Sequence, residues 1–140
     1  MYAKIVFVAV FAIAVAAVAG CLPTKKSKDC PPRCKNCVQI TLDDDCRPED
    51  ASGNYLETAE VDHGDCLCFE NTTDDETITV RFDSRSDQRP ISDSREELEP
   101  GERWCPKIKN NVSEGYYYYK VECAGGGGSD GPKVKVGGGG

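Results

Sequence analysis

The sequence predicts a small, disulfide-rich, mostly β fold built on two hairpins and ending in a disordered, glycine-rich tail. Three observations carry that expectation. Eight cysteines fall between residues 30 and 123. The apolar residues beyond residue 21 alternate with a period of two rather than 3.6. Nine of the fourteen glycines lie beyond residue 123.

The N-terminus sets the compartment. Residues 5–18, IVFVAVFAIAVAAV, are wholly apolar, preceded by Lys4 and followed by Ala19 and Gly20. This is the layout of a secretory signal, and it is short of the roughly 20 residues that a membrane helix needs. The expected divisions are a signal peptide at 1–21, a basic linker at 22–29, a disulfide-rich β domain at 30–123 and a flexible tail at 124–140. The protein is expected to be secreted, with no membrane span. A second route exists, because VAGC at 18–21 resembles the bacterial lipobox. In that reading Cys21 is acylated and the chain is a lipoprotein anchored at the surface.

Nine cysteines are an odd set. Removing Cys21 by either route leaves Cys30, Cys34, Cys37, Cys46, Cys66, Cys68, Cys105 and Cys123. In an oxidising compartment these are expected to form four bridges, as in other exported domains with small cores. Cys34, Cys37, Cys66 and Cys68 could instead hold zinc as thiolates, but oxidising export favours the bridges. Eight cysteines allow 105 pairings, and spacing does not select among them.

The clearest strand is TITVRFD at 77–83, in which Ile78, Val80 and Phe82 alternate with Thr77, Thr79 and Arg81. CLCF at 66–69 is its expected hairpin partner. There Cys66 and Cys68 face one side while Leu67 and Phe69 face the other. A second hairpin is expected between CPKIK and YYYYKVEC, closed by a guessed Cys105–Cys123 bridge. VQITL at 38–42 is a third strand, and residues 93–98 are a possible short helix. The sequons Asn71-Thr72-Thr73 and Asn111-Val112-Ser113 fall in the proposed turns, making Asn71 and Asn111 the expected glycan sites.

Charge is unevenly spread. Residues 43–99 carry nineteen acids against five arginines, in a chain of net charge −7. Such a surface repels nucleic-acid phosphates and raises the encounter rate with cationic partners. No nucleic acid, cofactor or metal is expected, although the carboxylates of Asp43–Asp45 and of 74–76 could collect calcium weakly. No enzyme is expected either. His63 is the only histidine, and no nucleophile is positioned beside it.

Binding is better supported. Tyr116, Tyr117, Tyr118 and Tyr119 place two rings on each face of a strand, and Trp104 lies nearby in the expected hairpin. With the acids Asp43, Asp44 and Asp45, these residues are the expected contact set for a cationic extracellular protein. A rival reading is a protease inhibitor, in which the loop between Cys68 and Cys105 presents Arg81, Arg85, Arg89 or Arg95 to a trypsin-like enzyme.

The signal, the even cysteine set, the sequons and the biased tail together resemble, in general layout, the small secreted cysteine-rich salivary proteins of arthropods, ticks especially. That resemblance implies a protein that disarms a host defence or signalling protein. It transfers no functional residues.

Overall fold

The computed structural model describes residues 30–137. The signal segment, Cys21 and the basic linker at 22–29 lie outside the described residues. Among the described residues no helix is long and apolar enough to cross a membrane.

Nine strands form two sheets. They are β1 (Cys37–Leu42), β2 (Pro48–Glu49), β3 (Thr58–Val61), β4 (Cys66–Asn71), β5 (Ile78–Phe82), β6 (Arg95–Leu98), β7 (Arg103–Trp104), β8 (Gly115–Cys123) and β9 (Gly128–Val136). One sheet runs β2-β1-β4-β7 and the other β3-β9-β8-β5-β6. Both are mixed: β1 pairs with β4, and β3 with β9, in parallel.

The sheets pack face to face because each strand alternates as its sequence dictates. Ile40, Leu42, Leu67 and Phe69 of the four-stranded sheet share one buried cluster with Ile78, Val80, Phe82, Leu98, Tyr119, Val121, Val134 and Val136 of the other. At its centre the Phe69 ring meets Tyr119 edge-on at 5.5 Å, and Phe82 stacks on Tyr119 at 5.3 Å. Such contacts add about 0.5–1.5 kcal/mol each beyond the area they bury.

The β-rich, disulfide-linked class therefore matches the sequence reading, but four local expectations do not. Residues 128–136 are a strand, not a disordered tail, so the domain extends past residue 123. PKVKV is an amphipathic strand: Pro132, Val134 and Val136 are buried while Lys133 and Lys135 face outward. Pairing with β3 on one side and β8 on the other offsets the entropy of ordering a glycine-rich segment. Gly126, at φ +95°, helps make the β8–β9 turn.

β4 and β5 do not form a hairpin, since they lie in opposite sheets. Residues 105–109 do not pair with β8 either, whose neighbours are β5 and β9. The short helix expected at 93–98 is instead strand β6, whose residues 95–98 pair with β5.

The bridges are Cys30–Cys37, Cys34–Cys66, Cys46–Cys123 and Cys68–Cys105. The guessed Cys105–Cys123 pairing is thus corrected. Three of the four bridges form one cluster, in which Cys34, Cys66 and Cys68 are buried and Cys30, Cys37 and Cys105 half-buried. It covers the outer face of β4, where Cys66 and Cys68 point away from the core. Cys46–Cys123 is different, because it joins the turn after β1 to the end of β8 and so ties one sheet to the other.

Asn71 corrects a further expectation. Its side chain is fully buried at the end of β4. Nδ2, the atom that would carry a glycan, donates to the carbonyls of Glu76 at 2.7 Å and Leu98 at 2.8 Å. Oδ1 accepts from the backbone N–H and the hydroxyl of Thr73. The sequon threonine thus folds back onto the sequon asparagine and stitches β4 to the start of β5 and the end of β6. Asn111 is exposed.

Cys46 and Cys123 are 77 residues apart and Cys30 and Cys37 only seven. By loop entropy, replacing the first pair with serine should cost about 4–5 kcal/mol and the second about 2–3. Denaturant titration of the two variants checks the order, and equal losses would contradict it. Asn71→Asp turns a carboxylate toward two carbonyls and should cost about 3–5 kcal/mol. In a eukaryotic secretory host, mass mapping of the folded protein should find glycan on Asn111 and none on Asn71.

Candidate functional site

The tyrosine run of β8 divides as strand alternation requires. Tyr119 is buried, and burial pushes its phenol pKa far up, with a smaller contribution from Tyr55. Tyr117 is half-buried against the core, and burial raises its pKa as well. Tyr116 and Tyr118 point outward and are 56% and 62% exposed. Only Tyr55 joins them as an exposed large hydrophobic side chain among the described residues.

The outward pair sits beside β9. By register Tyr116 faces Lys135 and Tyr118 faces Lys133. Lys133 Nζ is 5.8 Å from the centre of the Tyr116 ring and 6.0 Å from that of Tyr118. It also lies 3.3 Å from Glu57 Oε1. Two residues along β9, Lys135 pairs with Glu60 of β3 at 3.6 Å. Beyond Tyr118 a β-bulge breaks the β8–β9 register between Tyr118 and Lys120. At that point β9 carries Gly131, at φ +145°, with no atom within 4 Å of where a Cβ would stand. Gly131 borders a depression of about 240 Å³ walled by Tyr118, Arg81, Lys120 and Asp83. Arg81 pairs with Glu122 at 3.3 Å. The outer face of this sheet therefore carries acids and bases in near balance on a strongly acidic protein.

The rest of the expected contact set lies elsewhere. Trp104 belongs to the opposite sheet, where its ring stacks on Phe69 at 5.7 Å and packs against the core. Asp43, Asp44 and Asp45 form the turn that ends in Cys46. Cys46 is bonded to Cys123, at the far end of β8. Five residues separate Tyr118 from Cys123, about 17 Å along an extended strand. Acids and tyrosines therefore do not share one patch. Asp43 is also occupied structurally, since its Oδ1 accepts the N–H of Asp45 at 3.1 Å. It hydrogen-bonds the Glu49 carboxyl too, which with some burial and the charges of Asp43 and Asp45 holds the Glu49 pKa above its ordinary value.

The arginine loop has an architecture that its sequence does not announce. Arg89 does not face out as a bait residue. Its guanidinium donates to four carbonyls, those of Asp83, Ser84, Ile91 and Ser92, and so closes the loop on itself. Lys109 fastens the loop from outside, through Nζ to Ser86 O at 2.7 Å and through its N–H to Pro90 O at 2.8 Å. Arg85 is the exposed arginine at the rim, with Nε 3.2 Å from Asp83 Oδ1. That contact and the Arg85 N–H hold the Asp83 carboxyl below the usual carboxylate range.

His63 is structural. Its Nε2 lies 2.7 Å from Val112 O, anchoring the turn at 62–65 to the loop that carries Asn111. The buried Asp65 carboxylate accepts from Asn36 Nδ2 and from the Asp62 N–H, so this corner is a set of satisfied tethers. The three sulfurs of Cys30, Cys34 and Cys37 lie within 4.8 Å of one another, but each is already spent in a disulfide.

No protein-family model matches the chain, and no curated protein matches it. Among solved structures, an oxidised proline-to-glycine variant of amicyanin aligns over 74% of this chain and 84% of its own, at 12% identity and a TM-score of 0.48. A Cu(I) form of another amicyanin variant aligns over 72% and 82%, at 13% identity and a TM-score of 0.42. A purple cupredoxin from Nitrosopumilus maritimus aligns over 71% and 99%, at 17% identity and a TM-score of 0.43. Likenesses this distant bear on neither ligand nor activity.

Proposed function

We propose that the chain is an exported, disulfide-locked β-sandwich that binds a cationic extracellular protein through the outer face of its five-stranded sheet. The observation that carries this reading is the exposure of Tyr116 and Tyr118, on one face of the same strand, while among the described residues every other large apolar side chain except Tyr55 is buried or half-buried. Large rings held in fixed positions bury area on contact at small entropic cost, which is why they dominate binding surfaces. The acids at the opposite end of β8 act at longer range: they steer a basic partner toward the molecule without touching it. The near-neutral tyrosine face then makes the contact. The general layout that resembles arthropod salivary binders fits a scavenging role of this kind, directed at a host-defence or signalling protein.

The test is affinity toward a panel of small basic secreted proteins, with acidic proteins of equal size as controls. Tyr116→Ser together with Tyr118→Ser should weaken binding by tenfold or more while leaving the thermal midpoint within a few degrees. Raising the salt from about 50 to 300 mM should slow association and leave dissociation nearly unchanged. Unaltered affinity in the double variant would reject this face as the contact.

The arginine loop favours a second reading, that of a trypsin-class inhibitor. The clasp of Arg89 and Lys109 supplies the rigidity that resists cleavage, and Arg85 is exposed on the clamped segment. If this reading holds, Arg85→Ala abolishes inhibition, and Arg89→Ala turns the loop into a substrate cut within 83–92. Absence of inhibition by the unaltered chain removes this second reading and leaves the first intact.

A further inference from the structure

Lys133 behaves on the tyrosine pair as a ligand would. Its side chain stands on the outer face of β9, yet it is only 22% exposed, because it lies between two rings that are themselves more than half exposed. Its ammonium is at cation–π distance from both ring centres, 5.8 and 6.0 Å. Glu57, whose side chain is 66% exposed, holds the same ammonium at 3.3 Å from the edge of the sheet. Two aromatic faces and a carboxylate around one cation are what a lysine or arginine binding site consists of. Here the chain fills it from within.

Resting on the contact face proposed above, we infer that Tyr116, Tyr118 and Glu57 form a cation cradle. Lys133 occupies it in the free protein, and a lysine or arginine side chain of the partner takes it over on binding. Charge complementarity favours a cation as occupant. Glu57 and Glu60 flank the pair with exposed carboxylates, and the whole chain carries −7. A second copy of the chain carries the same net charge and is disfavoured by repulsion. The exchange costs little, because a displaced Lys133 ammonium on this outer face is taken up by water. A cradle filled in cis lowers apparent affinity by the fraction of time it is filled, so emptying it should strengthen binding.

The experiment uses the full folded chain and three probes: deca-arginine, deca-lysine and deca-glutamate peptides, measured by calorimetry. Lys133→Met keeps the apolar stem and removes the ammonium. Lys135→Met makes the same change of net charge two residues along β9, where no ring pair encloses the ammonium. The cradle predicts that Lys133→Met binds deca-arginine about two- to fivefold more tightly than Lys135→Met does, the worth of one exposed cation–π contact. It also predicts that the ring protons of Tyr116 and Tyr118 shift on adding deca-arginine and not deca-glutamate, and that Tyr118→Leu loses the gain in the Lys133→Met background. Equal gains in the two methionine variants would mean that only net charge matters, and the cradle would be discarded while the contact face could stand. Weaker binding by Lys133→Met would make Lys133 a contact in its own right and overturn the inference. So would self-association of Lys133→Met in sedimentation, which would assign the cradle to a second copy. Loss of basic-partner binding in no tyrosine variant at all would instead remove the face itself.

Discussion

The packing of two sheets across a thin interior, closed by one covalent tie, is the constraint from which the rest follows. Phe69 reaches from the four-stranded sheet to Tyr119 and Phe82 of the other, and around these three rings the interior is filled by branched aliphatics. A sandwich of this size buries too little apolar surface for a wide stability margin. Cys46–Cys123 ties the two sheets together at one end of that same interior. Cys46 adopts φ +56°, a left-handed conformation that few side-chain-bearing residues hold. The turn that holds it is closed by the Cys46 N–H donating to Asp43 O at 3.0 Å.

That arrangement explains which parts of the fold could be read in advance. β1 and β5 were legible because VQITL and TITVRFD alternate apolar and polar residues, and one buried face is enough to mark a strand. The opposed faces of Cys66 and Cys68 against Leu67 and Phe69 were legible for the same reason. Pairing was not. β4 finds β1 in parallel, across the intervening β2 and β3, and β5 joins β8 and β6. No local turn signal encodes such contacts. The cysteines carry no pairing information for the same reason, since their partners are chosen by the sheets. β9 was hidden by composition: glycines on both sides of PKVKV look like a solvated tail until β3 and β8 supply a slot whose core needs Pro132, Val134 and Val136.

The candidate site divides along similar lines. The alternation of Tyr116 to Tyr119 was readable as two rings in and two out, and the structure assigns the outward pair to Tyr116 and Tyr118. Their neighbours were not readable, because Lys133 and Glu57 come from segments that meet only through β9. Trp104 was drawn into the site by a hairpin that does not form. Asn71 shows the limit of a motif: the triplet Asn-Thr-Thr has the acceptor pattern, but here the same two polar side chains are used to satisfy one another inside the fold. A sequon describes what an enzyme can modify in an unfolded loop, and says nothing of what the folded chain does with the same atoms.

The distribution of charge connects the fold to its use. An acidic surface spread evenly would hold a basic partner anywhere on the molecule, weakly and in many orientations. Here Asp43, Asp44 and Asp45 lie at the Cys46 end of β8, whereas the tyrosine face is close to neutral because Lys133 and Lys135 are matched by Glu57 and Glu60. Under the proposed reading, long-range attraction would govern arrival and ring contact would govern residence. The two functions sit about one strand length apart on a frame locked by disulfides. β9 therefore serves both ends of the argument: its inward valines complete the interior, and its outward lysines neutralise the face where a partner would rest. In the proposed reading, a segment that looks like a tail by composition couples stability to recognition, since loosening β9 would open the core and withdraw Lys133 from the two rings in the same event.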